Sequence, residues 1–165
     1  MGKKEEIKEK VQEIQLVIFR LRDEEFGARI NAVLEISRVL PITHIPEAPG
    51  FIEGVVNLRG QVIAVVDLAR QFGLARQAEL PKTARIVVVE IAGETIGLIV
   101  DAVPEVIRIP EDAIEPTPEL IQTKIQKDYI QGVAKLDTRL IIVLNLDQVL
   151  SARDVQSLGK MAEGA

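Results

Sequence analysis

The sequence predicts a mainly β protein made of two five-stranded β-barrels packed together, with short helices at the termini. Three observations carry that expectation. Valine and isoleucine together supply 40 of the 165 residues, and β-branched side chains fit a pleated, half-buried surface better than a helix. They fall in short runs bounded by turn signals, the pattern of small antiparallel strands. The runs also recur, the second half of the chain repeating the first. Composition excludes several alternatives. At 47% hydrophobic and 27% charged residues, the chain is expected to bury a core rather than stay disordered. No stretch offers the roughly 20 consecutive apolar residues of a membrane helix. The start, MGKKEEIKEKVQEI, lacks the apolar run of a secretory signal. A net charge of −5 disfavours a binder of nucleic-acid phosphates. The absence of cysteine removes disulfides, zinc-thiolate sites and thiol nucleophiles together. A soluble, cytoplasmic protein is the expectation.

Residues 1–14 read as an N-terminal helical segment, because Ile7, Val11 and Ile14 fall at i, i+4 and i+7 and Glu6 can pair with Lys10. From Gln15 the period changes to two. Val17, Phe19 and Leu21 alternate, and Asp23-Glu24-Glu25 supplies a polar, solvated turn before Phe26-Gly27. The stretch from Pro41 to Gly50 is a connection, since its prolines cannot continue a central strand. Two Val/Ile runs then flank Arg59-Gly60 in FIEGVVNLRGQVIAVVDL, with a glycine able to take the positive φ of a tight tip. Asp67 is placed to cap a short helix over 67–73 that Gly73 ends.

The second copy follows. Arg85 to Ile109 repeats the chain from Gln15 onward at an offset of 70, matching Gly27 to Gly97, Glu35 to Glu105 and Arg38 to Arg108. The segment from Tyr129 repeats Phe51 onward at an offset of 78, matching Gly54 to Gly132, Leu58 to Leu136 and the capping Asp67 to Asn145. The extra eight residues lie in the second copy's Pro-containing connection, where Glu111-Asp112 after Pro110 reads as a helical turn. Units of this length with short hairpins suggest SH3-like barrels, whose closure hides strand edges. The expected division is barrel one with its linker over 15–83, barrel two over 84–150, and a polar C-terminal tail over 151–165. Each barrel is near the lower size limit for a stable core, so the two are expected to pack together with a cleft between them.

Catalytic signals are sparse. His44, the one histidine, sits in the proline-rich connection with no marked nucleophile or carboxylate to orient it, and reads as a loop residue. No phosphate-binding glycine loop and no EF-hand pattern is present. No metal or cofactor is expected. Comparison of the copies is more informative. Gly54 and Gly132 agree, which points to a shared backbone requirement. At the hairpin tip Asn57-Leu58-Arg59-Gly60 is replaced by Lys135-Leu136-Asp137-Thr138, so the fold does not demand an arginine there. Arg59 presents a planar donor fork to solvent, suited to a carboxylate or to backbone carbonyls. Glu35 lies between Leu34 and Ile36 and reads either as an outward residue or as a structural partner of Arg38. The latter is the preferred reading.

The stretch FIEGVVNLRGQVIAVVDL, preceded by FGARINAVLEI, resembles the CheW family of bacterial chemotaxis coupling proteins. The likeness runs from Gln15 to Leu150, which makes the duplicated barrels one CheW-like domain. The related kinase CheA and the CheV proteins carry further domains for which 165 residues leave no room, so a free-standing adaptor is expected. The resemblance implies a non-enzymatic scaffold that joins the CheA regulatory domain to the cytoplasmic tips of chemoreceptors. Such a protein would be cytoplasmic, recruited to receptor arrays without membrane insertion, and monomeric when free. It further implies a receptor-binding groove involving Val33, Glu35, Ile36, Gly54, Asn57, Leu58 and Arg59, with Val103 facing the same groove. Kinase-contacting residues are not assigned. Two rivals remain: a coupling protein of another chemosensory pathway, such as one driving pilus motility, and an acid/base enzyme built on a double barrel.

Overall fold

Each Val/Ile run forms a strand in the computed structural model, which describes residues 12–46, 52–74, 79–116, 127–150, 154–155 and 158–160. In chain order these are β1 (Glu13–Leu21), β2 (Glu24–Arg29), β3 (Val33–Arg38), β4 (Ile52–Leu58) and β5 (Gln61–Asp67). The one-turn helix α1 (Leu68–Gln71) follows, then β6 (Arg85–Ile91), β7 (Glu94–Val100), β8 (Ala102–Pro110) and β9 (Ile114–Glu115). The last two strands are β10 (Ile130–Leu136) and β11 (Arg139–Leu144). Asp67 caps α1 as expected, its carboxylate accepting from the amides of Ala69 and Arg70, and Gly73 ends it at φ 74°. Asn145 does the same for a 3-10 turn at Leu146–Gln148. Another such turn forms at Glu111–Ala113, after Pro110.

The strands make two sheets, β3-β6-β7-β5-β4 and β8-β1-β2-β11-β10-β9. The first closes where Thr43, beyond β3, pairs with Val55 of β4. The second closes where β9 pairs with β10. β8 and β9 are one strand of the repeat interrupted at Pro110, which is why this sheet counts six strands.

The strands do not divide between the barrels at residue 84. The hairpin β1-β2 of the first copy completes the second barrel, and β6-β7 of the second copy completes the first. The division into 15–83 and 84–150 is therefore corrected to an exchanged pair. The β7–β8 connection shows the cause. β2 reaches β3 through the three-residue turn Ile30–Ala32, and β7 reaches β8 through Asp101 alone. One residue cannot reverse a hairpin, so the chain runs on into the other sheet. Asp101 fixes that passage: its carboxylate accepts from the Arg22 amide at 2.9 Å, its amide donates to the Arg20 carbonyl, and its carbonyl accepts from the Thr83 hydroxyl.

Three apolar cores result. Val56, Leu58, Ile63, Val65, Ile86, Val88 and Ile99 fill barrel one. Leu16, Ile18, Ile109, Ala134, Ile141 and Val143 fill barrel two. Much of this agrees with the repeat, since Ile18, Ala134, Ile141 and Val143 match Val88, Val56, Ile63 and Val65. The largest cluster joins the barrels and holds Phe19, Phe26, Phe72, Val87, Leu98 and Leu146. Four of the five aromatic residues gather there, Phe26 edge-on to Phe72 and Phe72 stacked on Tyr129 at 5.6 Å.

The N-terminal end differs from expectation. Glu13 and Ile14 belong to β1, paired with Pro110 and Ile109, so β1 begins inside the segment read as helix; residues 1–11 lie outside the described ones. The tail is not simply polar. Val155 and Leu158, in helical conformation, are buried in the central core.

Candidate functional site

The tip between β4 and β5 is built by local rules. Arg59 and Gly60 have φ of 52° and 85°, the positive values that a two-residue hairpin of type I′ requires. Arg59 pays the steric cost of that conformation without being a glycine. The Asn57 side chain locks the turn by accepting from the Gly60 amide at 2.7 Å. Arg59 thus projects from a fixed base, its side chain 79% exposed.

Its guanidinium meets Glu35 of β3 at 3.0 Å. Two residues singled out separately in the sequence are therefore one ion pair across the mouth of barrel one. The preferred partner for Glu35, Arg38, is corrected: Arg38 lies opposite Arg85, while Glu35 pairs with Val88 on the neighbouring strand and reaches the hairpin tip. The second copy repeats the device differently. Arg139 of β11 binds Glu105 at 3.1 Å and grips Glu25 through two nitrogens, at 3.2 and 2.6 Å. Hydrogen bonds donated to Glu25 first, and to Glu105 second, hold the Arg139 guanidinium pKa above its ordinary value. Glu25 is consequently a paired strand residue and not part of a solvated turn.

On the opposite face of β3 from Glu35, Leu34 and Ile36 are exposed apolar residues, at 57% and 39%. Val33 is partly buried against the central core, as is Val103 at the start of β8. Leu58 belongs to the core of barrel one. Gly54 is buried at φ 152°, where a Cβ would collide with the Thr43 carbonyl. Gly132 is under the same constraint, a Cβ falling 2.5 Å from the Glu115 carbonyl. Both glycines let the closing strand approach, so the shared backbone requirement has a concrete cause. Of the eight sequence candidates, then, Glu35, Ile36, Asn57 and Arg59 present groups at the surface, and Gly54 and Leu58 shape it from beneath.

A cleft of about 520 Å³ lies between the barrels. Leu34 of β3 and Glu90 and Gly93 of the β6-β7 hairpin line it from barrel one, Ala32 lies at the crossing, and Arg29, Gln131, Leu144 and Asp147 line it from barrel two. Leu34 places β3 on the border between this cleft and the Arg59–Glu35 pair. Sequence reading expected the cleft but not its lining, which depends on the strand exchange. Arg29 is tied to Glu111 at 3.3 Å and, with the Gln131 amide turned to satisfy it, to Gln131 at 2.9 Å.

His44 places its Nδ1 2.9 Å from the Glu53 carbonyl, so Nδ1 carries the proton and donates. The bond fixes the connection closing barrel one. Asp67, the buried charged residue among the described ones, is engaged in capping α1. Among the described residues no three His, Asp or Glu side chains cluster to hold a metal. None of the described helices is long and apolar enough to cross a membrane.

Comparison with known proteins agrees with this architecture. The family model described as a CheW-like domain matches residues 15–154. The chain is 34% identical to the chemotaxis protein CheW of Rhizobium meliloti over 140 residues, covering 85% of this chain and 89% of that protein. It is 34% identical to the Helicobacter pylori CheW over 149 residues, 90% of this chain and 87% of the other. The crystal structure of the scaffolding protein TtCheW from Thermoanaerobacter tengcongensis superposes with a TM-score of 0.78 at 41% identity, covering 88% of this chain and 93% of that one. Exchanged double barrel, NLRG tip and near full-length similarity together place the chain in the CheW-like family.

Proposed function

We propose that the protein is a non-catalytic chemotaxis scaffold that couples the regulatory domain of the histidine kinase CheA to the cytoplasmic tips of chemoreceptors. The observation that carries the receptor side is the Arg59–Glu35 pair, held on an Asn57-locked tip of a strand hairpin, with exposed Leu34 and Ile36 on the other face of β3. A charged pair on one face of β3 and exposed apolar side chains at its edge give polar and apolar contacts of the kind an amphipathic helix uses, and receptor tips in this family are helical hairpins. Ile36 supplies an apolar anchor, with Val33 behind it. Arg59 fixes register by trading part of its bond with Glu35 for a receptor carboxylate or carbonyl. Val103 borders the same groove from the second barrel. The protein acts in the cytoplasm, recruited to membrane-associated receptor arrays. Modest affinity for each partner suffices, because an array multiplies it through avidity.

The test is a calorimetric titration with a receptor cytoplasmic-tip fragment, the CheA regulatory domain, and both together. Simultaneous binding of the two is the expected result. Binding of the kinase domain alone would move the protein to a pathway with another receptor class, and binding of neither would end the coupling assignment.

A further inference from the structure

On barrel one, away from the Arg59 tip, Arg38 of β3 and Arg85 of β6 stand directly opposite each other in antiparallel pairing. Like charges in that position repel and destabilise a sheet. Lys82 joins them, and the three surround a cleft of about 550 Å³ lined by Val39, Leu80, Pro81 and Ala84. Among the described residues, no carboxylate pairs with Arg38, Lys82 or Arg85. That is unusual in a chain of net charge −5, where acidic partners are abundant.

The internal repeat shows that the fold does not require this arrangement. In barrel two the matching pair is Arg108 opposite Gln15, and the residue matching Lys82 is Gln12. Two of the three positive charges are therefore specific to barrel one. Arg85 is also held in position: its Nη1 donates to the Ala84 carbonyl at 2.7 Å and to the Lys82 carbonyl at 3.4 Å. Its other nitrogens have no partner among the described residues.

We infer that the Arg38–Lys82–Arg85 cleft binds the phosphate group of a small phosphorylated molecule. A guanidinium offers a planar fork that matches phosphate oxygens, and an adjacent lysine adds a point charge. Three cations are more than one carboxylate neutralises but suit a phosphate carrying about −1.5 to −2. The volume falls within the roughly 300–1,000 Å³ of small-ligand clefts. Bound phosphate would also relieve the Arg38–Arg85 repulsion, so ligand binding and barrel stability are coupled. This inference does not depend on the receptor-binding assignment, which uses the other residues of β3.

The experiment titrates inorganic phosphate and pyrophosphate into the full chain at constant ionic strength, with chloride as the control, and reads amide NMR shifts and the melting temperature. Arg85→Gln installs the residue that barrel two carries at the matching position, so folding is retained. Arg108→Gln serves as the control in barrel two. Saturable shifts centred on residues 38, 82 and 85 are expected, with a raised melting temperature. Arg85→Gln should weaken binding at least tenfold and raise the melting temperature without phosphate, while Arg108→Gln leaves binding unchanged. Phosphatidylcholine vesicles with and without phosphatidic acid separate a lipid headgroup from a soluble ligand: capture by the acidic vesicles alone, lost in Arg85→Gln, identifies the headgroup as the source. Shifts that chloride reproduces, no saturation, or an equal response in wild type and Arg85→Gln would overturn the inference.

Discussion

Arg59 shows how one residue can be costly in backbone and nearly neutral in stability. Its φ of 52° is disfavoured for a residue with a Cβ, and the Asn57 side chain and the following glycine make the tip tolerable. Its bond to Glu35 is exposed on the arginine side, and exposed ion pairs are worth about 0–1 kcal/mol. Arg59→Glu is therefore expected to change unfolding free energy in urea by less than about 1 kcal/mol while lowering receptor-tip affinity at least tenfold. Comparable losses in both measurements would mean that the arginine is structural. The candidate status of Arg59 was legible because the second copy has Asp137 there. Its partner was not legible: Glu35 is 24 positions away, and only barrel closure brings β3 beside the β4-β5 tip. Arg38, three positions from Glu35 in sequence, is the wrong guess that local spacing makes, because strand side chains three apart lie on opposite faces.

At the scale of elements, the hairpins and both caps could be read because their signals are local: Arg59-Gly60, Asp67 and Asn145 act on amides within three residues. Gly54 and Gly132 carried the right signal with the cause hidden, since the close approach involves strands from other parts of the chain. Gly132→Ala, which pushes a methyl into the Glu115 carbonyl, is expected to destabilise by about 1–3 kcal/mol through overpacking. Gly60→Ala meets no neighbour within 4 Å and is strained only by its φ, so equilibrium unfolding should rank it milder. Equal effects would assign the cost at Gly132 to chain entropy instead of to barrel closure. In the tail two side chains, Val155 and Leu158, outweigh a polar composition. Leu158 is fully buried in the central core, and Leu158→Ala should cost about 2–5 kcal/mol in unfolding free energy. A change within experimental error would show that the tail rests on the surface.

For the whole molecule, duplication was visible but exchange was not. Residue matching at offsets of 70 and 78 is identical whether each copy builds its own barrel or lends its first hairpin to the other. The choice is made by the one-residue link at Asp101, too short to turn the chain back; the turn at Ile30–Ala32 makes the corresponding crossing in the first copy. Exchange has a thermodynamic consequence. Neither half, 15–83 or 84–150, contains the strand neighbours seen in its barrel, because β5 pairs with β7 and β2 pairs with β11 across the halves. The largest apolar cluster also draws on both. The two barrels should therefore unfold together, in one all-or-none transition. Circular dichroism reports strands in both barrels, whereas Tyr129 fluorescence reports the central core in which its ring stacks on Phe72. In urea the two signals should give the same midpoint, and Leu158→Ala should shift both equally. Separate midpoints would mean that one barrel survives the other, and the strand pairing across the halves would have to be abandoned as the source of the molecule's stability.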